Sequence, residues 1–462
     1  MVEPAYSREY PDPEQLEQWD REHVWHAFTQ MAEHQPFLIE RAEGCTLYDL
    51  DGRAYLDGVS SLWCNVHGHR HPHIDAAIRR QLDQVAHVTL LGMAHPTTVR
   101  LAKKLVDIAP AGLRHVFFSD SGATAVEVAL KMAFQFWQQT DSVSTEQKQK
   151  KTKYLAFENA YHGDTLGSVS VGGVPRFHQM FKPLLFDVIR LPTPTLFRLP
   201  AGVTRETAAN YFLGLVEQTL AQHHDELAAV VIEPLMQCAA GMVLHPPGFL
   251  RGLRELTAKY DVLLIADEVA VGMGRTGTMF ACEQEDVQPD LLCLAKGLTG
   301  GYLPLAATLA TDRIWQAFFG SYESSRTFFH GHTYGGNPLG AAAALATLEV
   351  FEQEQTLALL QPKIARLQEH LQQLSEHPHV GDIRQLGLIA GIELVRDRAT
   401  NEPFAWSERR GQGVCNHAIE QGVWLRPLGN VVVIMPPLSI SLEELDCVCT
   451  AAIAGIERAT CE

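Results

Sequence analysis

The chain has 462 residues, of which 46% are hydrophobic and 20% charged, with 35 Gly and 24 Pro. That suits two or three packed domains and excludes a fibrous or disordered chain. A formal net charge of -17 repels nucleic acid and anionic lipid, so neither is expected as a partner.

In chain order, TLYDLDGRAYLDG alternates apolar and polar residues about Asp51-Gly52, which predicts a small hairpin with a DG turn. From residue 74 onward, helix-length segments alternate with the short apolar runs HVFF, KYLAF, AAVVIE, VLLIADE and DLLCLA. Runs apolar on both faces predict a parallel sheet covered by helices, an α/β architecture. The polar stretch TDSVSTEQKQKKTK (140–153) and the Pro-rich TPTLFRLPAG read as surface loops. Residues 341–374 read as helices leaving the sheet domain, after which GLIAGIELV, GVWLRP and VVVIMPP predict further strands. No internal repeat is visible. The nine cysteines (45, 64, 238, 282, 293, 415, 447, 449 and 461) are odd in number and lack a CxxC pair. Neither a disulfide framework nor a zinc ribbon is expected. With no basic-then-apolar leader and no window of about 18 apolar residues, a cytoplasmic, non-membrane protein is the expectation.

Three motifs carry chemistry. In FFSDSGATAVEVALKMAFQFW a buried strand runs into a helix starting near Gly122, with Val126, Ala129, Leu130, Ala133, Phe134 and Trp137 at helical spacing. The first N–H groups of such a helix form an anion site at a strand's C-terminal end. An ordinary helix start capped by Ser119 or Asp120 fits the same residues. In VLLIADEVAVGMGRTG, Asp267 and Glu268 follow apolar residues to the same rim, where a carboxylate needs a partner. That partner is either a salt bridge, with Arg275 available, or a protonated heteroaromatic nitrogen. In LLCLAKGLTGG, Lys296 ends a buried strand. An amine desolvated in such a place is a nucleophile rather than an inert cation, as a Schiff-base lysine requires. An amine, a carboxylate and a phosphate-binding helix start are the three groups that pyridoxal phosphate (PLP) needs.

Taken together, HVWHAFTQM (23–31), LWCNVHGHRHP (62–72), SDSGATAVEVALKMA (119–133), YHGDT (161–165), ADEVAVGMGRTG (266–277), LAKGLTGG (294–301), HGHTYGGNPLG (330–340) and LRPLGNVVVIMPP (425–437) resemble the class III, fold-type-I aminotransferases over essentially the whole chain. Within that family they are most similar to the enzymes of biotin biosynthesis. The resemblance implies a large PLP-binding domain over 74–340 with a mainly parallel sheet, and a smaller α+β domain built from 1–73 and 341–462. It also implies Lys296 as the Schiff-base and proton-shuttling residue, Asp267 on the pyridine nitrogen and Tyr161 stacked on the ring. Gly122 and Ala123 would meet the phosphate through their N–H groups. His332 and Thr333 would bind cofactor, with Thr333 reaching the neighbouring subunit's phosphate, so a homodimer with shared active sites is implied. Trp63, Tyr161, Lys296, Gly331 and Arg426 would line the substrate site, with Arg426 pairing bidentately with the carboxylate of 8-amino-7-oxononanoate. The implied partners are small molecules: this ketone and an amino donor, S-adenosylmethionine or lysine. The alternative is another class III ω-aminotransferase acting on a diamine or ω-amino acid.

Departures from the family pattern bear on the donor. Ala123 stands where many members carry Ser, which removes a hydroxyl and leaves the amide. Phe28 in WHAFT replaces a tyrosine, and Leu62-Trp63 replaces a pair of tryptophans. Losing a phenol and an aromatic wall removes interactions of ~1 kcal/mol each that a sulfonium donor could use. The sequence therefore tilts slightly toward lysine.

Other features read as structural. His67, His69, His71 and His73 alternate like a metal tract, but Pro72 and the helical text after it favour a structured loop, and no metal is expected. Glu233 and Asp164 are expected in hydrogen-bond networks, and Cys447 and Cys449 in packing.

Overall fold

The computed structural model describes residues 11–141 and 144–461. Its centre is a seven-stranded sheet of β1 (Leu113–Ser119), β2 (Lys153–Phe157), β3 (Ile189–Leu191), β4 (Leu227–Ile232), β5 (Leu263–Asp267), β6 (Leu291–Leu294) and β7 (Ala306–Thr311), in the spatial order β1-β7-β6-β5-β4-β2-β3. Every residue of β4, β5 and β6 is buried, as the unbroken apolar runs require. At roughly 1.5–3 kcal/mol per fully buried aliphatic side chain, these strands form a rigid floor. All but β7 run in one direction, so the ends of β1, β5 and β6 share one rim. Registers Ser119↔Ala306, Leu294↔Ala307 and Asp267↔Cys293 set Ser119, Asp267 and Leu294 there at nearly the same height.

The antiparallel β7 was not anticipated. Its sequence AATLAT is half alanine, and alanine carries no strand preference. The text predicted as a loop over 140–153 contains a short helix, Thr145–Lys150, with a Ser144–Gln147 capping box; that Ser-x-x-Gln signal is visible in the sequence. Helix α1 (Gly122–Gln139) packs on the sheet through Val126, Ala129, Leu130, Ala133, Phe136 and Trp137, while Phe134, expected inside, is 40% exposed.

The ends of the chain meet. The hairpin strands Thr46–Asp49 and Ala54–Asp57 join Ile39–Glu43 in a sheet completed by Val423–Trp424, which runs parallel to Leu56–Asp57. A second sheet contains Val380–Leu386, Ile389–Asp397, Val431–Ile434 and Arg426–Leu428. Leu425, buried between Trp424 and Arg426, is thus held by strands of two sheets. Cys449 is buried as expected, but Cys447 is exposed, on the outer face of the helix Leu442–Cys461. Among the described residues no helix is long and apolar enough to cross a membrane.

Candidate active site

Lys296, Asp267, Gly122 and Ala123 stand at the sheet rim, and Trp63, Tyr161 and Arg426 belong to its cover. Lys296 comes two positions after the end of β6, past Ala295, and opens a 3-10 turn over Lys296–Thr299. Its φ is +45°, a left-handed conformation that costs a side-chain-bearing residue roughly 1–3 kcal/mol. Buried Gly297 and Leu298 directly behind it hold the turn in place. The ammonium lies 5.0 Å from the ring centroid of Trp63 and has no hydrogen bond or ion pair among the described residues.

Trp63 is placed by the hairpin. Buried Asp57 accepts from the N–H of Ser61 at 2.7 Å, and the Ser60 hydroxyl donates to the Met435 carbonyl at 2.6 Å. Ser60, Ser61 and Trp63 all have positive φ, and the chain is bent so that the indole is buried against the lysine.

Asp267 ends β5 and is 4% exposed. Its Oδ1 accepts from the Val269 N–H at 3.0 Å, and its Oδ2 meets His162 Nδ1 at 2.7 Å. The salt bridge to Arg275 that the sequence left open is not made. The fully buried guanidinium of Arg275 donates instead to the carbonyls of Pro436 and Asn65, at 2.6 and 2.8 Å. Burial disfavours the charged form of His162, yet the hydrogen bond and charge of Asp267 overcome this and raise its pKa above the ordinary value. The far nitrogen of the ring, Nε2, is buried without a partner among the described residues. The sequence offered one hint of this imidazole, its place in YHGDT beside Tyr161.

The Tyr161 backbone N–H donates to Glu233 at 3.0 Å, and the phenol donates to Asp164 at 2.6 Å. Burial and the Asp164 hydrogen bond together keep the phenol protonated well past its usual range. Glu233 also accepts from the Cys238 N–H at 3.0 Å; burial pushes its pKa up to about 7, with His162 opposing and Asp267 reinforcing the rise. Glu233 and Asp164 thus sit in hydrogen-bond networks, as expected, but in networks that hold Tyr161.

Arg426 is half-buried, and burial lowers its pKa while the nearby Tyr161 opposes the change. Its guanidinium makes no ion pair or hydrogen bond among the described residues, although this acidic chain has no shortage of carboxylates. Phe177 bridges the site to the N-terminal segment, its ring 6.2 Å from Tyr161 and 5.2 Å from Phe28. The sequence reading had no signal for Phe177.

The start of α1 is capped by Ser121, whose side chain accepts from Thr124, rather than by Ser119 or Asp120. Gly122 and Ala123 follow, with N–H groups that have no partner inside the helix. A Cβ on Gly122 would lie 2.5 Å from Val269, and one on Gly163 2.3 Å from the Ala123 methyl, so both glycines allow close backbone approach. His332 meets Asp120 at 2.7 Å beside this helix start, while Gly331 and Thr333 stand exposed on the same loop. The four histidines of HGHRHPH each take a different partner: His67 the Thr347 carbonyl, His69 Asp57, His71 Glu354 and His73 Glu349.

These residues fit a phosphorylated pyridine aldehyde. A buried carboxylate, supported by an imidazole whose second nitrogen lacks a partner, suits a protonated ring nitrogen. Two glycine-backed N–H groups at a helix start suit the phosphate, and an unpaired lysine stands at the same rim for the aldehyde.

Comparisons with known proteins agree with this chemistry. Residues 28–456 match the family described as aminotransferase class-III. The chain is 57% identical over 434 residues, 93% of its length and 79% of the relative's, to an adenosylmethionine-8-amino-7-oxononanoate aminotransferase of Nitratidesulfovibrio vulgaris. The crystal structure of the protein of that name from Methanocaldococcus jannaschii superposes with a TM-score of 0.91 at 43% identity, covering 97% of this chain and 99% of the other. An omega transaminase from Pseudomonas jessenii in complex with PMP also gives 0.91, at 30% identity over 96% of this chain and 98% of its own.

Proposed function

This chain belongs to the class III aminotransferases, enzymes that depend on PLP, and from that premise we propose that it transfers an amino group to the ketone of 8-amino-7-oxononanoate, forming 7,8-diaminononanoate in biotin biosynthesis. The observation that carries the substrate is Arg426. A half-buried guanidinium with no protein anion beside Tyr161 suits a ligand carboxylate, and the names of the relatives point to the same substrate.

The bound cofactor supplies an aldehyde for amines and a protonated pyridine ring that accepts electrons. The chain's own residues do the rest. Lys296 acts through Nζ, as nucleophile in the resting enzyme and then as carrier of the proton between the amine-bearing carbon and the cofactor. Asp267, steadied by His162, keeps a proton on the ring nitrogen. Gly122 and Ala123 offer N–H groups to the phosphate, and Tyr161 covers the ring, held at its backbone by Glu233. The exposed loop of Gly331, His332 and Thr333 is proposed to complete the site of a second copy, with Thr333 on the partner's phosphate, in a homodimer. A cytoplasmic location goes with this reading, supported by nine unpaired cysteines.

For the donor we propose S-adenosylmethionine. The relatives bear its name, and although Phe28 lacks a phenol, Trp63, Phe28 and Phe177 still offer aromatic faces to a sulfonium. Lysine is the second reading, favoured by Phe28 and Leu62. The deciding experiment mixes the PLP form separately with each amine and follows conversion to the pyridoxamine form, then adds 8-amino-7-oxononanoate and looks for the diamine by mass spectrometry. Conversion by S-adenosylmethionine alone is expected; no diamine with either donor overturns the substrate assignment.

Arg426→Ala is expected to lower kcat/KM for 8-amino-7-oxononanoate by ~30- to 1,000-fold, the equivalent of about 2–4 kcal/mol for a charge that loses its desolvated partner. Arg426→Lys should recover little of this, because an ammonium cannot make the bidentate pair. Steady-state kinetics with the ketone varied check it. Unchanged kinetics would favour an ω-aminotransferase with another acceptor.

A further inference from the structure

Away from the sheet rim, the helix Pro13–His23 and the segment that follows it bring three ligand-type side chains together. Asp20 is 9% exposed, which is unusual for an acid on a short surface helix. Its Oδ1 meets His26 Nε2 at 2.9 Å and its Oδ2 meets His34 Nε2 at 2.7 Å. The two imidazoles lie 4.1 Å apart, tilted by 32°, with both Nε2 atoms turned toward the one carboxylate. One ligand atom from each of the three residues lies within 4.8 Å of the other two, and this is the only such group among the described residues.

We propose that Asp20, His26 and His34 form a binding site for one divalent transition-metal ion of the zinc class. Two neutral imidazoles and a carboxylate are the ligand types that Zn²⁺, Co²⁺ and Ni²⁺ favour, and hard cations such as Mg²⁺ prefer oxygen alone. Metal–ligand bonds of about 2.0–2.1 Å at tetrahedral angles place neighbouring ligand atoms roughly 3.3 Å apart. The present contacts of 2.9 and 2.7 Å fall on different oxygens of Asp20, so the two imidazoles regroup about one oxygen, within their present 4.8 Å spread, to reach that spacing. His26 keeps a third of its side chain exposed and His34 a seventh, leaving an entry path and room for water as fourth ligand. Binding exchanges the shared N–H···O contacts for coordination, each neutral ring then carrying its proton on Nδ1.

The position gives the ion a consequence. His26 and His34 flank Phe28, whose ring meets Phe177 beside Tyr161. A metal on Asp20 would therefore clamp the segment that covers the donor side of the active site to the preceding helix.

The test uses PLP-loaded protein stripped with a chelator and titrated with Co²⁺ alone. The expected result is about one ion per chain with visible d–d bands of low coordination number, and an affinity at least ~10-fold weaker in Asp20→Asn and in His34→Gln, by the usual cost of perturbing a metal shell. Absence of stoichiometric binding means the three residues form only a hydrogen-bonded knot and overturns the proposal, as does binding that survives both substitutions. If a variant does not fold, zinc-edge X-ray absorption of the wild-type protein decides. Two imidazoles with oxygen support the site; a sulfur shell or no bound zinc overturns it. None of these readouts depends on which amine or ketone the enzyme uses.

Discussion

Lys296→Ala is expected to abolish transamination, with kcat falling by at least ~1,000-fold, while the protein stays folded and still binds PLP. The magnitude follows from removing the one amine at the rim, because a positioned proton carrier alone contributes about 10²- to 10⁴-fold and the covalent attachment is lost as well. Stability should hardly change. The ammonium makes no hydrogen bond or ion pair among the described residues, and its contact with the Trp63 face is worth about 0.5–1 kcal/mol. Alanine retains the left-handed backbone cost at φ +45°, so no strain is relieved either. Lys296→Arg separates charge from chemistry, since guanidinium keeps the cation and cannot be deprotonated. It should be as inactive as alanine. Steady-state rates, the cofactor's visible absorbance and thermal melting of the three proteins check this together. Activity retained by either variant would place the nucleophile elsewhere.

That expectation could be written from the sequence because strand ends are legible. An unbroken apolar run interrupted by a charge marks where a buried strand leaves the sheet. LLCLAK and VLLIADE both show it, and parallel pairing then brings Lys296 and Asp267 to one rim although 29 positions separate them in the chain. Local signals carried this much. What escaped depends on partners distant in sequence. His162 and Asp267 stand 105 positions apart, and no local pattern distinguishes an imidazole partner from the guanidinium of Arg275 eight residues on. Arg275 in turn is satisfied by two backbone carbonyls, which leave no trace in composition. Strand β7 escaped because alanine and threonine are too small to announce a buried strand, and Phe134 was misplaced because its neighbour Phe136 takes the inward position. The pairing of Leu56–Asp57 with Val423–Trp424, which orients Trp63 and Arg426 toward one site, is likewise a contact across most of the chain.

The same distant pair supports the second large effect. Asp267→Asn should lower kcat by ~10²- to 10⁴-fold for every donor tested, because it replaces the charge beside the pyridine nitrogen with a neutral amide of the same shape. Removing one partner of a buried ion pair costs about 3–5 kcal/mol, and that interaction is needed most as the ring accepts electrons, so the loss appears in rate more than in KM. The asparagine can still accept from the Val269 N–H, so the end of β5 need not rearrange. His162 supplies the internal check. Burial opposes its charge, while the Asp267 hydrogen bond and charge, with a smaller push from Glu233, raise its pKa, so in the variant the imidazole should titrate lower, toward the neutral form that burial prefers. The sign is fixed: a raised folded-state pKa adds stability at pH values below His162's ordinary pKa and loses it as pH rises through the folded value. Asp267→Asn should therefore remove stability chiefly on the acid side and leave the alkaline side less affected. Unfolding free energies measured across that range, with ring-proton NMR of His162, read this independently of turnover. A His162 titration unmoved by the substitution would mean that Asp267 does not govern the charge next to the cofactor nitrogen.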